Sequence, residues 1–222
     1  MKTVIKRGRG RKNLRMHIDD HGTLIISAPL TVPQSLIDSF IDANKTWIEE
    51  NKSKVPVHTY RDGDKFPFFG KEYPLFVLKG EKAVFLREDG LYVFVPRVES
   101  ANSVKRELYN FYCKRLFSYA EEKLPLFCSR MELKKPSLEI CNAKSRWGCC
   151  YRKQALIKLS AITATLPEPL IDMTIIHELC HLVYDGHGED FKGLLRSYVP
   201  DIKEKEKALK AISKSGKVRN LF

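Results

Sequence analysis

The run Ile175-Ile176-His177-Glu178-Leu179-Cys180-His181-Leu182-Val183-Tyr184-Asp185-Gly186-His187 constrains this chain more than any other part of it. His-Glu-x-x-His closes an apolar helical segment, and a third histidine follows six residues on, so half of the chain's six histidines fall within eleven positions. Residues four apart on an α-helix lie one above the other, which lets His177 and His181 present two imidazoles to one metal ion. Glu178 lies about 100° around the helix from His177, where its carboxylate reaches a metal-bound water rather than the metal. Imidazole nitrogens at about 2.0–2.1 Å suit zinc, and three protein ligands leave a fourth position open for chemistry. The pattern predicts a zinc hydrolase.

His187 adds a condition on the backbone. A continuing helix would carry it about 9 Å along the axis past His181 and onto another face. It joins the same metal only if the helix stops near Val183 and the chain turns back, and Asp185-Gly186 has the chemistry for that turn. Glu189, or a carboxylate on the next helix, is the alternative third ligand. His17, His21 and His58 stand singly near turns or loops and read as ordinary surface histidines.

A chain of 222 residues can bury a proper core as one large domain or two small ones. No stretch approaches the ~18–20 apolar residues of a membrane span, and the charged start Met1-Lys2-Thr3-Val4-Ile5-Lys6-Arg7 has no apolar signal core, so a cytoplasmic location is expected. The six cysteines (Cys113, Cys128, Cys141, Cys149, Cys150 and Cys180) show no framework spacing and no Cys-x-x-Cys, as buried free thiols would. A structural metal on Cys141, Cys149 and Cys150 lacks partners at suitable spacing. The net charge of +12 makes nucleic acid, nucleotides or another polyanion natural partners. Lys6, Arg7, Arg9, Arg11, Lys12 and Arg15 form its densest cluster, and a solvated hairpin turn is the competing explanation for them.

Leu14, Met16 and Ile18 alternate with polar residues before Asp19-Asp20-His21-Gly22 turns the chain into Thr23–Ala28, a hairpin signal. Pro33 opens a helix with Leu36, Phe40, Ala43 and Trp47 on one stripe and Ile37, Ile41 and Ile48 beside it, all expected in the core. Tyr60 to Val95 reads as short strands and tight turns, with Ala83–Leu86 facing Leu91–Val95. A boundary near Pro96–Ser103 precedes a helix expected from about Val104 to Lys123, with Leu108, Phe111, Tyr112, Leu116 and Tyr119 at helical spacing. Leu138–Cys141, Trp147–Tyr151 and Ala155–Leu159 read as strands, Pro167 and Pro169 open the metal helix, and shorter helices follow near Glu189–Tyr198 and Asp201–Ser213. The expected fold is α+β: a β-rich region with one helix over residues 1–98, then a zincin-like hydrolase domain over 99–222 with a short antiparallel sheet. No internal repeat is visible.

With Lys144-Ser145-Arg146-Trp147-Gly148-Cys149-Cys150 upstream and His-Glu-Leu-Cys-His…Gly-His-Gly-Glu-Asp-Phe downstream, the sequence resembles the YgjP-like metallopeptidase-domain family, itself similar to SprT-like and WLM zinc proteases. The early Arg-Lys-Asn-Leu-Arg-Met run, Trp47-Ile48, and Asp62-Gly63 with Phe69-Gly70-Lys71-Glu72-Tyr73 extend the resemblance over nearly the whole chain. It implies zinc on His177, His181 and His187, with Glu178 as catalytic base. The family usually has Ser-Cys after Trp-Gly, whereas this chain has Cys149-Cys150, so substrate preference is open there. Metzincins share the histidine spacing but place Gly midway between the second and third histidines and a methionine turn downstream. Here Tyr184 holds the midway position and no methionine follows Met173.

The first functional expectation is a zinc metallopeptidase that uses zinc-bound water, with Glu178 as general base and polypeptide laid along Trp147–Tyr151. Arg146 and Tyr184 are the candidates, from chain position, for a second electrophilic donor. The second keeps the metal but takes a nucleoside triphosphate or other phosphoanhydride, because phosphates need cationic clamps. The third is a nucleic-acid-binding protein with a non-catalytic metal site, which leaves Glu178 without a role.

Overall fold

The computed structural model describes residues 2–18, 22–52, 58–214, 218 and 221–222. Chain contacts group into two units, Met1–Val57 with Ser215–Asn220 and His58–Lys214 with Leu221–Phe222.

In the first unit, β1 (Thr3–Gly8), β2 (Arg15–Ile18) and β3 (Leu24–Pro29) form a sheet of order β1-β3-β2. The hairpin expected between β2 and β3 is present as an antiparallel pairing that starts at Ile18 opposite Leu24, while its turn residues Asp19, Asp20 and His21 lie outside the described residues. β3 runs parallel to β1, so the basic run does not form a hairpin turn as expected. It bridges two edge strands around β3. Leu24, Ile26 and Ala28 point to one face and are buried with Ile37 and Ile48, as the two-residue period of a strand requires.

The helix after Pro33 is two helices, α1 (Gln34–Ala43) and α2 (Lys45–Lys52). Asn44 breaks it: its backbone leaves helical geometry at ψ 18° and its Nδ2 donates to the Phe40 carbonyl at 2.8 Å, a local side-chain bond that competes with the helix. The expected core stripe is also corrected. Ile37 and Ile48 are buried, whereas Leu36 and Trp47 are 56% and 40% exposed. The two stripes are adjacent, and a three-stranded sheet covers the isoleucine one.

In the second unit, β4 (Lys65–Phe68), β5 (Lys71–Lys79), β6 (Ala83–Leu86) and β7 (Leu91–Val95) form a sheet of order β4-β5-β7-β6, with the expected β6–β7 pairing antiparallel. α3 (Ala101–Arg130) is longer at both ends than its apolar pattern predicts. Ser100 caps it, its hydroxyl accepting from the Ser103 N–H, and the helix runs on through Pro125. Val104, Leu108, Tyr112, Leu116, Ala120 and Leu124 form a fully buried stripe at the four-residue helical step. That stripe belongs to one core running from Tyr60 to Phe222, and α3 packs on β6 and β7 as well as on β8. The boundary expected between residues 98 and 99 therefore falls inside this unit. His58 is half-buried here, stacked on Phe66 at 4.7 Å rather than lying free on the surface.

β8 (Ser137–Cys141), β9 (Gly148–Tyr151) and β10 (Leu156–Ser160) make the third sheet, of order β8-β10-β9. β10 is antiparallel to β9 but parallel to β8, so this sheet is mixed where an antiparallel one was expected. The same topology occurs three times: the last strand of β1–β3, of β5–β7 and of β8–β10 enters between the first two, parallel to the first and antiparallel to the second. The architecture is α+β. α4 (Glu168–Val183), α5 (Glu189–Tyr198) and α6 (Ile202–Lys214) complete it, with α4 against β9 and α5. Among the described residues no helix is long and apolar enough to cross a membrane.

Candidate metal centre

α4 begins at the Pro167–Pro169 segment, where a missing N–H costs nothing in the first turn. Leu170, Ile171, Met173, Ile175, Ile176, Leu179 and Cys180 bury it on nearly every side. A helix so enclosed holds the few polar side chains at its end in fixed positions. The helix stops at Val183, and Tyr184 adopts extended geometry with φ −126° and ψ 131°. The chain then turns through Asp185-Gly186 and brings His187 back just before Gly188 caps α5.

The turn completes a cluster. One nitrogen each of His177, His181 and His187 lies within 4.8 Å of the others, and no other such group of His, Cys, Asp and Glu occurs among the described residues. Cys141, Cys149 and Cys150 therefore form no second group. Nε2 of His187 stands 3.1 Å from Nε2 of His177. Two nitrogens bound tetrahedrally to zinc at about 2.0–2.1 Å would lie about 3.3 Å apart, so these donors fit that ion. His181 Nδ1 bonds the Tyr184 carbonyl oxygen at 3.1 Å. That bond leaves Nε2 of His181 for the metal and fixes the ring. Glu189, the alternative ligand, is instead paired with Lys192 at 2.8 Å and Arg196 at 3.6 Å.

Burial pushes His177 down to about 4, and the neighbouring His181 and His187 add to the shift. His181 is lowered too, chiefly by burial. Both effects favour neutral imidazoles, the form that binds metal. Glu178 is only 5% exposed and burial pushes it up to about 7, with Arg146 acting in the opposite direction. Such a value suits a group that must accept and return a proton near neutral pH.

A cleft of about 670 Å³ contains His177, Glu178, His181 and His187 together with Arg146, residues Gly148–Gln154 and Asp185. β9 forms one wall and is an edge strand, paired only with β10 among the described strands. Arg146 thus lies in the cleft. Tyr184 does not line it; its side chain is 37% exposed and it contributes its carbonyl oxygen to His181. Trp147 packs on the core, and its carbonyl accepts from the Ser160 N–H and the Thr163 hydroxyl at 2.8 and 2.7 Å, anchoring the start of β9.

Two residues of this site escape sequence reasoning. Gly148 faces Glu178, and a Cβ there would lie 2.7 Å from its Oε1. The absent side chain makes room for the carboxylate. Phe191 on α5, 2% exposed, has its ring centroid 4.6–5.0 Å from those of all three histidines. It backs the cluster. Its position four residues after His187, across the cap of α5, was the available signal.

A family model described as YgjP-like, metallopeptidase domain, matches residues 12–212. The chain belongs to the YgjP-like metallopeptidase family. No curated protein matches it. Membership makes it a metal-dependent enzyme of the peptidase type, and among the described residues of this YgjP-like chain the histidine cluster is the group that could hold the metal.

Proposed function

We propose that the chain is a zinc-dependent peptidase of zincin-like architecture, with zinc on His177, His181 and His187 and Glu178 as general base. The observation that carries this reading is a buried carboxylate beside three convergent imidazoles, in a cleft walled by a strand that pairs on one side only among the described strands. Zinc held there would act as a Lewis acid toward the substrate carbonyl and make water acidic enough to attack near pH ~7. Glu178 takes the proton from the attacking water on a carboxylate oxygen and returns it to the leaving amine. An extended polypeptide adds to the free edge of β9, whose backbone groups supply its hydrogen bonds. Arg146 steadies the developing negative charge on the carbonyl oxygen. Tyr184, the other sequence candidate for that task, has its side chain outside the cleft lining.

One observation favours a second reading, a phosphoanhydride hydrolase: Arg146, Arg152 and Lys153 all line the cleft, with Arg152 held by Asp185 at 3.3 Å. Wild-type protein reconstituted with zinc would be offered denatured polypeptides and nucleoside triphosphates side by side. Cleavage of polypeptide alone, lost on chelation and regained with zinc, is the expected result. Triphosphate hydrolysis without proteolysis would replace the first reading with the second.

A further inference from the structure

Lys2, Lys6, Arg7, Arg9, Arg11, Lys12 and Arg15 all precede the first acidic residue of the chain, Asp19, and all are exposed. Among the described residues no carboxylate pairs with any of them. Arg7 has a structural task, since its guanidinium donates to the carbonyls of Leu30 and Val32 and to Gln34. The others do not share it. Lys6 and Arg15 are both register partners of Ser27, on opposite sides of it. The three form a row across the sheet, on the face away from Leu24, Ile26 and Ala28. Strand spacing sets Lys6 and Arg15 about 9–10 Å apart at the backbone.

The connection from β1 to β2 closes the end of that face into a cavity of about 450 Å³ lined by Gly10, Arg11, Lys12, Asn13, Arg15 and Ser27. Every side chain in the lining carries a hydrogen-bond donor and none is acidic. Arg11 is held in place. Its guanidinium donates to the Lys6 carbonyl, and Gly8 leaves space for it, since a Cβ at Gly8 would stand 3.0 Å from Arg11 Nε. Gly10 turns the connection at φ +78°, a conformation that favours glycine. A guanidinium fixed by one N–H keeps its other donors for a phosphate, with little side-chain entropy left to lose.

We propose that this cavity binds the phosphate backbone of a single nucleic-acid strand, with Arg11, Lys12 and Arg15 on its phosphates and Lys6 continuing the track. A repeating anion matches cations that extend beyond the cavity in a row. A concave site tracks one strand, whereas a duplex is read by an element that protrudes into its groove. The lining offers no apolar side chain to enter a bilayer, which sets it apart from a lipid-binding surface. The site lies in the first unit and is independent of the peptidase reading.

The test is anisotropy of a labelled single-stranded oligonucleotide titrated with full-length protein over several salt concentrations. Arg11, Lys12 and Arg15 changed together to Gln should weaken binding roughly tenfold or more and flatten the log–log salt slope by about 2, three phosphate contacts at about 0.7 each. Lys203, Lys207 and Lys210 of α6, all exposed, changed together to Gln remove equal charge elsewhere and should leave affinity within about twofold. Gly8→Ala keeps every cation but crowds the Arg11 side chain, whose Nε would stand 3.0 Å from the added Cβ, and should weaken binding about two- to threefold. Equal losses in the two triple variants would reduce the effect to net charge and overturn the proposal. So would a wild type that leaves the oligonucleotide unbound at low salt, or one that binds anionic phospholipid vesicles through the same residues and not the oligonucleotide. Gly8→Ala binding as tightly as wild type would remove the role assigned to Arg11.

Discussion

Glu178 is 5% exposed, and burial makes its charge costly despite the opposing pull of Arg146. Its folded-state value of about 7 lies above the ordinary 4.5, so the apoprotein holds that proton through this interval and loses the associated stability as pH rises through about 7. His177, pushed down to about 4 from 6.5, works in the opposite sense: its contribution is present above 6.5 and is lost as pH falls towards 4. Glu178→Gln removes the buried charge and keeps the shape. In metal-free protein it should melt near wild type at pH 5 and above it at pH 8, by an amount on the order of 1–3 kcal/mol. A melting difference that does not change with pH would show that the carboxylate is not destabilising. Arg146 lowers the same group, so Arg146→Gln should move the acid limb of kcat/KM to higher pH, because less of the base is ionised at any given pH. An unmoved limb with a reduced kcat would leave Arg146 a role on substrate alone. For the proposed ligands, His177→Ala, His181→Ala and His187→Ala should each sharply lower zinc content by metal analysis. Full retention in His187→Ala would shift attention to Glu189. The three histidines and Glu178 were legible in the sequence because their spacing and the Asp185-Gly186 turn are local properties. Gly148 and Phe191 were not, because what they touch is brought near by the fold.

At the scale of elements, the site is a contact between one strand and one helix. Gly148 on β9 leaves the space that Glu178 on α4 fills, and a Cβ would also lie 2.9 Å from its Cγ and 3.0 Å from its Cδ. On the proposed reading, Gly148→Ala should therefore keep its metal, since it leaves the three histidines unaltered, and lose about 10²-fold in kcat as Glu178 moves. Wild-type turnover in this variant would mean that the carboxylate's position is not critical. Most strands and helices were located from pattern, since alternation and the 3.6-residue period record which side is buried. β1 was not expected: its Thr3–Gly8 run reads only as part of a basic cluster. Pairing was less legible. Parallel β8 and β10 carry the same local alternation as antiparallel strands, and only the chain path places β10 between β8 and β9. The recurrence of that path in all three sheets has no counterpart as a sequence repeat, because topology constrains the pattern of burial and not the residues themselves. α1 and α2 read as one helix because Asn44 interrupts the pattern without a proline or glycine to mark the break.

Across the whole molecule, the +12 charge and the metal motif need not serve one purpose. The run from Lys2 to Arg15 belongs to the first unit and the histidines to the second, so the two properties can be altered separately. Neutralising Arg11, Lys12 and Arg15 should leave hydrolysis of a short uncharged peptide within about twofold of wild type, since such a peptide offers those cations no charge to attract. A large loss would show that the two units act on one substrate. The claim on which the functional account rests is that Glu178 moves the proton while the histidines alone hold the metal. It is tested most directly by the rate at which zinc-loaded Glu178→Gln cleaves a denatured polypeptide, with the zinc content of the same sample measured. The expected result is zinc equal to wild type and a rate lower by about 10²–10⁴-fold. Cleavage within tenfold of wild type at full zinc occupancy would contradict it.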